Sequence, residues 1–173
     1  YEIGSLWSSG AQVITGLPYS VPTGKNLFIV MAKGSDIILG SETYWKSADN
    51  PNYYHEGYYF ESPLVVSENT LIGGTANIFG YILDTTNDIE VANISLDTTI
   101  TVPPNKDLII HTFNSLISDN LGANFAVNGF TLFNTKKYNG NKSFANPLVI
   151  KSGSSISSSS EKINITGYYI DSN

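Results

Sequence analysis

The 173-residue sequence holds no cysteine and no arginine. Without cysteine there is no disulfide and no thiolate metal site, so the fold must rest on packing and backbone pairing. Without arginine, no guanidinium can clamp a phosphate or carboxylate through two parallel hydrogen bonds; all nine cations are lysines. Charge is sparse, with 14% Asp, Glu, Lys and Arg and a net charge of −6. A nucleic-acid partner is therefore not expected, because neutralising phosphates requires a basic face. No apolar run approaches the roughly 18 residues of a membrane-spanning helix, so no membrane span is expected. Helical periodicity with caps is missing throughout. Histidine is scarce as well: His55 and His111 are the only two.

What the chain does have is 41% hydrophobic residues, enough for a folded core, and an internal repeat. "VPTGKNLFIV" (21–30) matches "VPPNKDLIIH" (102–111), "FESPLVVSENTLI" (60–72) matches "FANPLVIKSGSSI" (144–156), and "NIFGYILD" (77–84) matches "NITGYYID" (164–171). The order is the same in both copies, and the offsets grow only from 81 to 84 to 87 residues. Three ordered blocks indicate a duplication. The copies are placed at 1–86 and 87–173, with the boundary in the polar, acidic stretch 84–90.

Each copy reads as β-structure. Leu27, Ile29 and Met31 alternate with Phe28 and Val30, the period of a strand; with both faces apolar, burial on both sides is expected. Turn chemistry punctuates the strands at Pro22-Thr23-Gly24, Pro103-Pro104-Asn105, Gly73-Gly74 and Ser152-Gly153. Asn128-Gly129 between apolar flanks predicts a type I′ hairpin, with Gly40-Ser41 as its counterpart. The serine-rich stretch 152–162 lies between matched blocks and is read as an enlarged loop. The expected fold is all-β: two tandem small β-sandwich or jelly-roll-like modules, each of about eight strands. One merged sandwich built from both copies is the alternative.

Chemistry-bearing patterns are few. A Ser–His–acid constellation needs a histidine, and neither sits in a recognisable setting. His55-Glu56 is a formal metal pair without a third ligand at suitable spacing. Glu42, Glu56 and Glu61 flank an aromatic stretch and are the acids most suited to glycoside hydrolysis, which needs two carboxylates across a cleft. No phosphate loop, dinucleotide fingerprint or calcium loop is present, so no cofactor and no metal are expected. Asn93, Asn141 and Asn164 each begin an N-glycosylation triplet.

The most distinctive stretch is "NPNYYHEGYYF" (50–60), preceded by Tyr44 and Trp45. Copy two has only Phe133, Tyr138 and Phe144 in the equivalent region. Phe60 aligns with Phe144, and Phe133 with Trp45, which assigns those positions to the shared fold. The excess of copy one is Tyr53, Tyr54, Tyr58 and Tyr59. Tyrosine offers a rigid apolar face with a polar tip, suited to protein interfaces and to stacking on sugars. Tyr44, Trp45, Tyr53, Tyr54, Tyr58 and Tyr59 are the candidate interface or ligand residues. Packing over a sandwich end, or against copy two, is the structural alternative.

The repeated pattern carried by Val21, Pro22, Gly24, Lys25, Pro63, Leu64, Gly80 and Tyr81 resembles sandwich modules of phage and viral surface and capsid-associated proteins. It is also similar to modules of exported proteins of AT-rich bacteria. Asn105 departs from the pattern where copy one has Gly24. The resemblance implies a non-enzymatic virion structural protein (a capsid-associated spike, vertex or fibre subunit), with host-receptor attachment as a further role. Partners would be copies of itself or other virion or surface-layer subunits, with a host glycan or protein at the attachment site. Its place would be the virion, or the cell surface or extracellular space. The alternative is an exported adhesin or filament subunit assembled by β-strand addition, for which residues 1–14 have the apolar content. A polysaccharide-active enzyme is the third reading.

Overall fold

The computed structural model describes residues 11–47, 57–85, 89–115, 123–135, 140–159 and 162–172. The first half contributes β1 (Ala11–Ile14), β2 (Tyr19–Ser20), β3 (Lys25–Lys33), β4 (Asp36–Leu39), β5 (Glu42–Lys46), β6 (Tyr58–Val66), β7 (Leu71–Gly74) and β8 (Asn77–Asp84). The second contributes β9 (Glu90–Leu96), β10 (Ile100–Thr101), β11 (Lys106–Ser115), β12 (Ala123–Val127), β13 (Phe130–Thr135), β14 (Gly140–Ile150), β15 (Ser155–Ser159) and β16 (Ile163–Asp171). No helix occurs among the described residues.

In module one the sheets have strand orders β1-β8-β3-β6 and β2-β7-β4-β5. In module two they are β9-β16-β11-β14 and β10-β15-β12-β13, the same orders shifted by eight strands. Among the described residues every pairing is antiparallel, and no sheet mixes strands from the two halves. First strand beside eighth and third beside sixth, facing second beside seventh and fourth beside fifth, is the strand order of a jelly roll. The chain is thus two tandem jelly-roll sandwiches rather than one merged sandwich.

Each module has its own core between its two sheets. Leu27, Ile29, Ile37, Trp45, Leu64 and Ile72 anchor the first; Leu108, Ile110, Phe125, Ile156, Ile163 and Ile165 anchor the second. Strand alternation explains the selection, because residues two apart point into the same space between the sheets.

The duplication extends to backbone irregularities. In β3 the register shifts between Ile29 and Met31, and in β11 between Ile110 and Thr112, so Val30 and His111 are equivalent bulge residues. Gly80 lies opposite Ile29, and Gly167 opposite Ile110. A Cβ on Gly80 would come within 2.5 Å of the Phe28 carbonyl oxygen, and one on Gly167 would overlap the Ile109 carbonyl. The bulge presses the neighbouring backbone onto β8 and β16, and only glycine leaves room.

Two turns show glycine and asparagine exchanging places. Lys25 N–H donates to the Pro22 carbonyl around Gly24 (φ 75°), and Lys106 N–H to the Pro103 carbonyl around Asn105 (φ 62°). The turns after the sixth strands carry Asn69 (φ 60°) in one copy and Gly153 (φ 75°) in the other. Asparagine is among the few side chains that tolerate this left-handed region, which is why Asn105 can stand for Gly24. The Asn128-Gly129 hairpin has positive φ at both central residues, as type I′ requires; at the Gly40-Ser41 turn only Gly40 does.

Two expectations are revised. The serine-rich stretch is not simply a loop: Ser155–Ser159 forms β15, hydrogen-bonded to both β10 and β12 with Ile156 fully buried. A central strand needs its backbone pairing and one inward apolar residue more than β-prone side chains. Burial on both faces holds for β11, whose residues from Asp107 to Ser115 are all buried, but not for β3, where Phe28, Val30 and Met31 remain half-exposed. The difference comes from how the modules meet.

Candidate functional site

The aromatic candidates divide by location. Trp45 and Tyr44 lie on β5 in the core of module one. Trp45 pairs with Ile37, and the register then skips Tyr44, so a bulge turns both adjacent side chains inward. Phe133 faces Phe125 across the same bulge in module two, which establishes its equivalence with Trp45. Tyr58 packs on Trp45 (centroids 5.9 Å) and on Phe60 (5.0 Å, edge-on) at the margin of that core. Module two fills the corresponding space with stacked Phe113, Phe133 and Phe125 (4.7 and 5.1 Å) beside Phe144. Tyr59 points the opposite way and is 70% exposed. Tyr53, Tyr54, His55 and Glu56 lie outside the described residues. Burial, then the nearby Glu42 carboxylate, pushes the Tyr44 phenol up to about 12, so it stays protonated and acts as no base near neutral pH.

The polar residues converge elsewhere, at the contact between modules. The sixth strand is an edge in each module, and β6 crosses all four strands β9, β16, β11 and β14 of module two. The adjoining edge strand β5 touches β11 and β16. Val65 is at the centre: its side chain is 0% exposed, although it belongs to neither module's core cluster. Its backbone N–H donates to Thr166 Oγ1 (3.4 Å), and Thr166 Oγ1 also bonds Thr112 Oγ1 (2.8 Å). Asn164 Nδ2 donates to the Thr43 carbonyl (2.8 Å), while Asn164 Oδ1 accepts from Ser95 Oγ (2.7 Å). Lys162 Nζ meets Glu42 Oε1 at 2.6 Å.

This contact satisfies two backbone groups, the Val65 N–H and the Thr43 carbonyl, that a sheet edge otherwise presents to solvent. Each neutral bond contributes about 1 kcal/mol net, but removing one partner from a buried pair costs about 1–3 kcal/mol. The Glu42–Lys162 pair retains side-chain exposures of 30% and 38%, so water screens it and its contribution is below about 1 kcal/mol. Val65 and the Thr112–Thr166–Asn164 hydroxyl and amide line therefore dominate. Glu42, an acid considered for glycoside hydrolysis, is engaged by Lys162, and Glu61 is exposed on β6. Among the described residues no three of His, Asp or Glu group as metal ligands.

His111 occupies the β11 bulge on the same covered side, 5.0 Å from the Tyr168 ring. Both of its ring nitrogens are buried without a hydrogen-bond partner among the described residues. Desolvation lowers its pKa to about 4. One glycosylation triplet is constrained too. Asn164 is buried with its amide nitrogen committed to Thr43, and Thr166 is fully buried, so that triplet is inaccessible in the folded chain.

The sequence did not mark Val65 or Thr112, and marked Asn164 and Thr166 only as a glycosylation triplet, not as contact residues. One signal was present: at outward strand positions copy two has Thr112 and Thr166 where copy one has Met31 and Phe79. No family model, no curated protein and no solved structure matched the chain.

Proposed function

We propose that the chain is a non-enzymatic structural protein of a virion, a capsid-associated spike, vertex or fibre subunit, whose work is assembly through sheet edges and sheet faces. The observation that carries this reading is the edge-to-face contact between the two jelly rolls. It covers a strand edge, buries Val65 completely and lets one module serve as the seat of the other. Jelly rolls serve in viral capsids, in lectins and in cupins, so fold alone selects none of these, and the reading leans on the contact chemistry. In this reading Tyr59, 70% exposed on β6, is a contact residue between subunits. Strand addition, the filament alternative, would draw on the N-terminal segment; its residues Ala11–Ile14 already pair with β8 of their own module.

The test is compositional. Particles purified from the source organism and probed by quantitative mass spectrometry should contain this chain in fixed stoichiometry with the capsid protein. Recovery of the chain only on cell envelopes, with none in particles, contradicts the virion reading and favours the cell-surface one.

A further inference from the structure

Duplication provides each module with both halves of the internal contact. One half is the edge formed by its fifth and sixth strands. The other is the outer face of the sheet holding its first, eighth, third and sixth strands. Within the chain, the edge of module one meets the face of module two. The edge of module two and the face of module one are left over.

The leftover edge is built like the one in use. Val149 stands where Val65 does and is 51% exposed instead of 0%. Thr131 stands where Thr43 does, by the shared bulge register. Beside them β13 presents Phe130 (73% exposed) and Leu132 (43%), where β5 has Glu42 and the inward-turned Tyr44. Among the described residues, three of the six large exposed apolar side chains therefore fall on this one edge.

The leftover face carries an apolar row across its four strands. Val13, Phe79, Met31 and Tyr59 are direct cross-strand neighbours in succession over β1, β8, β3 and β6. Val13 is 67% exposed; Phe79 and Met31 are half-exposed. The equivalent row in module two is Asn93, Thr166 and Thr112, all polar, with Thr166 and Thr112 buried and Asn93 half-buried. Two polar residues, Thr112 and Thr166, are thus buried inside the chain while the ends of the apolar counterpart row, Val13 and Tyr59, face solvent, the reverse of what solvation favours for an isolated molecule. Asn77 is exposed at the position equivalent to Asn164, ready to give the Thr131 carbonyl the bond that Asn164 gives Thr43.

We infer that the β13–β14 edge of one copy docks across the outer face of module one in a second copy, repeating between chains the contact that joins the modules within each chain. The inference rests on the assembly reading and specifies its surfaces. At the Thr166 position the second copy offers Phe79, so apolar burial replaces the hydroxyl bond. At the positions of Glu42 and Lys162 stand Phe130 and Thr75, so the contact between copies carries no equivalent ion pair. Both roles are compatible in one module: module two has its face covered by β6 while Val149 on its own edge stays open. A contact of this kind is head-to-tail, and closes into a ring or extends as a fibre according to the rotation between copies.

The cysteine-free chain permits a direct test. Val149→Cys and Phe79→Cys are made as separate variants, mixed, and treated with a short bis-maleimide, with sedimentation velocity run on the unlabelled chain. Glu42→Cys/Lys162→Cys, a partly exposed pair in contact between the modules that should link within the chain at any dilution, is the internal standard. The expected result is a covalent dimer only in the mixture, a ladder of multimers when both substitutions share one chain, and at least tenfold weaker association for Val149→Lys. Oligomers that sediment as such but give no link between 149 and 79, while the standard links, overturn the head-to-tail surfaces and leave the assembly reading standing. A chain that stays single at all concentrations overturns the inference itself, and particle composition then decides the assembly reading separately.

Discussion

At the scale of single residues, His111 is the side chain whose burial has the clearest measurable consequence. Its neutral form is enclosed beside Tyr168, and its folded-state pKa of about 4 lies below the ordinary 6.5. The unfolded chain therefore binds a proton that the fold resists. The fold bears no His111 penalty above about pH 6.5 and loses stability as pH falls toward 4, by about 3 kcal/mol over that window. Replacing it with valine, the residue copy one carries at the same bulge, should flatten that part of the pH–stability curve. At neutral pH the variant should match or exceed the parent, since two buried nitrogens without partners disappear. Chemical denaturation between pH 4 and 7 checks this; an unchanged slope in His111→Val would assign the pH dependence to other groups. The composition showed how rare histidine is in this chain, but its burial was not legible in the sequence. His111 sits at a strand position that is half-exposed in copy one and buried in copy two.

At the scale of strands and turns, the bulges set the tolerance to mutation. Gly80→Ala and Gly167→Ala should each cost about 3 kcal/mol or more, because the new Cβ meets a carbonyl oxygen of the neighbouring strand. Gly40→Ala, whose Cβ would meet nothing within 4 Å, should cost only about 1–2 kcal/mol of left-handed backbone strain. Thermal unfolding of the three variants gives the ranking directly; equal losses would contradict the bulge argument. Strand content, the hairpin at Asn128-Gly129 and the turn role of Gly24 and Asn105 were all legible, because local backbone preference sets them. β15 was not legible, because its serines form a strand through pairing on both sides rather than through propensity. The aromatic stretch misled in part for a related reason. Tyr44 and Trp45 are adjacent in sequence, and alternation alone would send them to opposite faces; the bulge sends both to the core.

At the scale of the whole molecule, the contact between modules is small in hydrogen bonds but encloses Val65 completely. Val65→Lys should therefore uncouple the modules without unfolding either, since the side chain belongs to neither core. Calorimetry should show the parent's coupled transition replaced by two separate ones. A single transition merely shifted downward would mean that the modules depend on one another for folding. Breaking the Glu42–Lys162 pair by Lys162→Met should change stability by less than about 1 kcal/mol and leave the coupling intact. The duplication made two modules visible from sequence, but not which edge meets which face, because that choice depends on outward residues that differ between copies. The same asymmetry, polar where covered and apolar where open, underlies the claim that copies join as the modules do. Electron cryo-microscopy of the native assembly tests that claim most directly. The account predicts density for the β13–β14 edge of one copy lying across Val13, Phe79, Met31 and Tyr59 of the next. An assembly in which that face stays open to solvent and Val149 contacts nothing would contradict it.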